Sequence, residues 1–87
     1  MINEQLELLG LQAEDKVTGF KGIVTSISFD LYGCVQALIN PGFDKGKGEM
    51  KSSLWLDTNR LQIISEIPVM QQPDFEKEKG PEVKPIF

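Results

Sequence analysis

Histidine is absent from this chain of 87 residues, and cysteine occurs once, as Cys34. Without imidazole there is no histidine-based acid–base catalysis and no imidazole metal site. One thiol makes neither a thiolate zinc site nor a disulfide within the chain, and it fits a reducing compartment, so a cytoplasmic location is expected. No segment approaches the roughly 20 apolar residues of a membrane span. The opening MINEQLELLG lacks the basic and apolar regions of a signal peptide, so no membrane partner is expected. Basic residues are also scarce: nine Lys and Arg stand against thirteen Asp and Glu, a formal net charge of −4. That field repels a polyanion, because nucleic-acid affinity comes largely from neutralised phosphates.

What remains is enough for one domain with a modest core. Residues 1–14 carry Ile2, Leu6, Leu9 and Ala13 on one helical stripe, with Asn3 placed as an N-cap. A short helix is favoured there, with an extended lead-in as the alternative, since Gly10 interrupts a helix. Residues 15–66 read as five short strands. The first is Lys16-Val17-Thr18, ended by a glycine-flanked turn at Gly19 to Gly22. The second, residues 23–29, alternates Thr25, Ile27 and Phe29 against Ser26 and Ser28. Asp30 to Gly33 is a turn, and Cys34 opens the third strand, which runs to Ile39. Residues 43–49 read as a flexible loop, Lys51 to Leu56 as the fourth strand, and Leu61 to Glu66 as the fifth. Asp57 is placed to cap a tight turn or one 3₁₀ turn between the last two.

Strands at intervals of about ten residues predict an antiparallel meander closed into a small five-stranded barrel. Val17, Ile23, Ile27, Val35, Ala37, Leu54 and Ile63 are its expected core. Residues 67–87 hold four of the five prolines. Proline cannot donate to a strand ladder, so this segment is expected to be a tail, either disordered, as its composition suggests, or extended along a surface. Its apolar residues, Phe75, Val83, Ile86 and Phe87, are expected to lie on the barrel or on a second copy, a dimer being the simplest assembly.

The run DKVTGFKGIVTSI, then Gly33-Cys34-Val35-Gln36, Pro41, Trp55-Leu56-Asp57 and Arg60-Leu61, resembles a family of short proteins encoded by bacteriophages, prophages and mobile elements. Those proteins share a T-G-F-x-G turn, a G-C pair opening a central strand and an aromatic-rich segment followed by aspartate. The resemblance covers residues 15–66, and its first hairpin looks like that of small barrels of the Src-homology-3, Tudor or KOW type. Leu56 stands where the family often has an aromatic residue, and the tail is less glycine-rich. The family implies a fold and carries no established activity to transfer.

Few residues invite chemistry. Cys34 is read as a small, buried strand residue. Asp15, Asp30, Asp44 and Asp57 all fall at predicted turns, where aspartate bonds nearby backbone N–H groups. Gly42-x-x-x-Gly46-Lys47 is not a phosphate loop, because Gly48 replaces the required hydroxyl residue and no helix follows. No cofactor, metal or catalytic group is expected. The function expected is a protein-interaction or assembly module, its partner a second copy or a phage or host protein. Phe20, Lys21, Tyr32, Phe43, Trp55, Arg60, Phe75, Ile86 and Phe87 are the candidate contact residues. Trp55 is placed in the core in preference to a stacking platform, its neighbours Leu54 and Leu56 pointing to the opposite face. The alternative is an accessory nucleic-acid-binding protein of the KOW or Tudor kind. It would use Lys16, Lys21, Lys45, Lys47, Lys51 and Arg60 with the aromatic residues for stacking.

Overall fold

The computed structural model describes residues 2–73. A five-residue helix, α1 (Ile2–Leu6), leads through turns into β1 (Gln12–Asp15), followed by β2 (Lys21–Phe29) and β3 (Val35–Asn40). Then come β4 (Phe43–Asp44), β5 (Glu49–Met50), β6 (Leu54–Asp57), a 3₁₀ turn (Thr58–Arg60) and β7 (Leu61–Ser65). The main sheet has five strands in the order β6-β3-β2-β1-β7, all neighbours antiparallel, and β4 and β5 form a separate pair. No helix of the described residues is long and apolar enough to cross a membrane.

The sheet is mostly β as expected, but it is not a closed barrel. β6 and β7 lie at its two ends and exchange no ladder bonds among the described residues. Yet only three residues, Thr58–Arg60, join them. A 3₁₀ turn of that length spans about 6 Å, whereas the edges of a flat five-stranded sheet would be about 19 Å apart. The sheet must therefore curl until its edges approach at this corner.

Two bulges help the curl. Val24 pairs with Ile39 and Ser26 with Leu38, which leaves Thr25 as an extra residue in β2. Ser65 pairs with Gln12 and Ile63 with Ala13, which leaves Ile64 extra in β7. An extra residue bends its strand and sharpens the local twist. It also resets the alternation: Val24 and Ile27 share the inner face, while Thr25 is exposed. The expected alternation holds for Ile27 and Phe29 against Ser26 and Ser28 and fails at Thr25 for that reason.

The first strand differs most from expectation. β1 is Gln12–Asp15, so the sheet begins inside the expected lead-in, and residues 16–19 form the turn. Val17, expected in the core, is 72% exposed. Gln-Ala-Glu-Asp has little intrinsic strand preference. Its place between β2 and β7, with partners on both sides, overrides that. Asn3 lies within α1 (Ile2–Leu6) and not at the position before it.

The core consists of Ala13, Val24, Ala37, Ile39 and Leu56, with Leu8, Leu9, Phe20, Ile27, Leu61 and Ile63 packed against it. Ala37, Ile27 and Ile63 were expected there; Ile23 and Val35 are half-buried and Leu54 is exposed. Trp55 is about half exposed as well, on the face of β6 opposite Leu56. Gly22 permits the closest crossing: a Cβ there would lie 2.3 Å from the carbonyl oxygen of Asn40.

β3–β6 and β4–β5 are two stretches of one long hairpin, broken at residues 41–42 and 51–53. The expected flexible loop is thus a small hairpin, held by Asp44, which accepts from Gly46 N at 3.0 Å and Lys47 N at 3.3 Å. Residues 67–73 run back over the N-terminal turns. Val69 N donates to Gly10 O at 2.9 Å, and the Gln72 side-chain amide donates to the carbonyls of Glu7 and Leu9. Phe75, Val83, Ile86 and Phe87, with the expected crossing of the tail to a second copy, lie outside the described residues.

Candidate functional site

The candidate contact residues do not converge on one site. Phe20 turns inward against the core, and Lys21 is exposed opposite Glu14. Tyr32 stands at the β2–β3 tip, 87% exposed. Phe43 begins β4 beyond the other end of β3, so the length of that six-residue strand, about 20 Å, separates it from Tyr32. Lys21 does share a shallow cleft of about 390 Å³ with Asn40, Pro41, Gly42 and Ile64, which brings the first turn beside the root of the β4–β5 hairpin. Arg60 is engaged elsewhere. Its Nε donates to Asp15 Oδ1 at 3.1 Å and its Nη2 to Asp15 Oδ2 at 2.5 Å.

All four turn aspartates do the work expected of them. Asp15 accepts from Val17 N (3.1 Å) and the Thr18 hydroxyl (2.7 Å) in addition to Arg60. Asp30 Oδ1 accepts from Tyr32 N and Cys34 N, both at 2.9 Å, and Asp57 caps the 3₁₀ turn by accepting from Asn59 N at 2.8 Å. The Arg60 hydrogen bonds, then the Thr18 hydroxyl, hold the Asp15 carboxyl well below the usual carboxylate range. Arg60 is raised correspondingly, chiefly by its hydrogen bonds to Asp15. Cys34 is exposed, not buried as expected, because the turn ends one residue later than the apolar run suggests and β3 starts at Val35.

The feature that stands out is the outer edge of β6. Leu54 and Trp55 are 46% and 47% exposed. Trp55 lies opposite Leu38, itself opposite Ser26, and these three form a row on the outer face. Leu54 lies on the inner face beside the buried Ile39, open because no further strand covers it among the described residues. Met50, just upstream in β5, is exposed and pairs with the exposed Phe43.

The two edges of the sheet are treated differently. β7 carries the Ile64 bulge and is followed by Glu66. Bulges, charges and proline are the usual guards against edge-to-edge pairing. β6 has no bulge or proline and its register with β3 runs without a shift; its one charge, Asp57, ends the four-residue strand and caps the 3₁₀ turn. Sequence reasoning singled out Trp55 but missed Leu54, Leu38 and Met50, since nothing local marks a strand as the last in its sheet.

Compared with family models, curated proteins and solved structures, the chain matches none. The reading of the site therefore rests on its own geometry.

Proposed function

We propose that this chain is a small non-catalytic module for protein interaction or assembly, and that it works by adding a partner's strand to the open edge of β6. The observation that carries this reading is the regular, bulge-free, apolar edge of residues 54–56. An extended segment laid along such an edge gains main-chain hydrogen bonds, and pockets for alternate side chains give it specificity. Trp55 supplies an aromatic anchor of the kind that dominates interface energetics.

The fold we assign is an opened barrel of the Src-homology-3 type. A short first strand, a tight glycine-containing turn and a long bulged second strand support it, together with the curl forced by the Thr58–Arg60 connection. A cytoplasmic phage or mobile-element programme is the setting proposed. Its support is the residue pattern of 15–66 and the single thiol. Nucleic-acid binding is disfavoured by the net charge of −4, by the pairing of Arg60 with Asp15 and by the inward turn of Phe20.

The test is affinity capture on the immobilised full chain, with and without nuclease, beside a Trp55→Lys variant. Protein captured despite nuclease and lost with Trp55→Lys supports the reading. Capture abolished by nuclease overturns it in favour of nucleic acid.

A further inference from the structure

We propose that the strand added to β6 is β6 of a second copy, paired antiparallel about a two-fold axis through Trp55. This inference rests on the edge reading above and adds the identity and register of the partner.

The symmetry limits the choices. Two copies of one strand paired antiparallel about an axis perpendicular to the sheet keep each side chain on its own face. Opposite residues must then lie on the same face, so their numbers sum to an even value. Centring on Trp55 sets Trp55 against Trp55 and Leu54 against Leu56 of the other copy. Every pair in residues 54–56 is then apolar. Centring on Leu56 sets Trp55 against Asp57 and Leu54 against Thr58, which belongs to the 3₁₀ turn and cannot continue a ladder. A parallel pairing about an axis along the strand would set inner faces against outer ones. The Trp55-centred register is the one the edge favours.

It also resolves the exposures. On the inner face the half-open Leu54 is covered by the second copy's Leu56, and on the outer face two Trp55 rings meet between two Leu38 side chains. Directly opposed aromatic pairs are among the better cross-strand contacts. At the flanks Asp57 comes toward residues 51–53 of the second copy, which lie outside β6 and include Lys51, and no like charges are opposed. Three paired residues per edge are few, well short of a standard interface. The dimer is accordingly weak and concentration-dependent.

The experiment has three parts, all on the full chain. Sedimentation equilibrium is expected to show the mass rising from 9.7 kDa toward twice that value between micromolar and millimolar concentration. Equimolar Ser53→Cys and Asp57→Cys chains, each in a Cys34→Ser background and each keeping Trp55, are expected to form a mixed intermolecular disulfide on mild oxidation. Asp57→Cys mixed with a Thr25→Cys control, exposed but on an interior strand, should form one at least about tenfold more slowly. Doubled mass without the preferential 53–57 cross-link overturns the register. The third part is a synthetic peptide of residues 52–58. A chain that stays monomeric at all concentrations yet binds this peptide overturns self-pairing and leaves the edge reading standing. A monomer that does not bind it overturns both.

Discussion

Arg60 grips Asp15 side-on across 45 residues of sequence, Nε to Oδ1 and Nη2 to Oδ2, and so ties the end of β1 to the 3₁₀ turn that precedes β7. The backbone repeats the tie: Lys16 N donates to Arg60 O at 2.7 Å. The carboxylate is buried, whereas the Arg60 side chain is 40% exposed. No buried side-chain polar atom lacks a partner among the described residues. A carboxylate with a bidentate arginine, a hydroxyl and a backbone N–H around it stays ionised where free carboxylates do not.

This pair predicts an acid-sensitive fold. The folded state holds Asp15 ionised well below the pH at which the unfolded chain protonates it. Its contribution is therefore fully present above about pH 4 and is lost progressively as pH falls toward the depressed value. Thermal unfolding followed by circular dichroism across a pH series is expected to show the midpoint falling below about pH 4. Asp15→Asn should lower the midpoint at neutral pH and flatten that acid limb. An unchanged acid limb in the variant would count against the pair.

Gly22→Ala is expected to destabilise the chain by about 1–3 kcal/mol, the usual cost of overfilling a packed site. Alanine has the better propensity in a strand interior, so propensity alone predicts the opposite sign. The added Cβ would sit 2.3 Å from the carbonyl oxygen of Asn40, and backbone must move to admit it. Urea unfolding distinguishes the two signs.

Burial separates two aliphatic positions that look alike in sequence. Ile39 is fully buried between β2 and β6, and Ile39→Ala should cost about 2–5 kcal/mol. Val17→Ala, on the exposed turn, should change stability by no more than about 0.5 kcal/mol. Comparable losses at the two sites would refute the placement of β1.

Cys34 lies on the surface. In the native protein a thiol reagent should label it about as fast as in the urea-unfolded chain. Cys34→Ala should change stability by less than about 0.5 kcal/mol. Labelling slowed by orders of magnitude would return Cys34 to the interior.

Local chemistry was legible in the sequence wherever a residue acts on its immediate neighbours. Asp15, Asp30, Asp44 and Asp57 bond backbone N–H groups two to four positions on, a reach that sequence spacing states directly. β2, β3 and β7 were found to within two residues because their β-branched and apolar runs carry strand preference. What depended on distant neighbours was not legible. Gln12–Asp15 becomes a central strand through its two partners. The bulge at Thr25 brings Val24 inward only because Ile39 and Leu38 lie opposite its flanks. The exposure of Trp55 follows from the place of β6 at the end of the sheet, and the pairing of Arg60 with Asp15 from the curl of the sheet. That curl is set by how five strands stack and by a three-residue link between the outermost two. Sequence determined β2, β3, β7 and the aspartate turns through short-range hydrogen bonding and side-chain preference. Which strand stands at the edge, and so which apolar residues remain open to a partner, was decided by tertiary structure, because an edge exists only once the other strands have been placed.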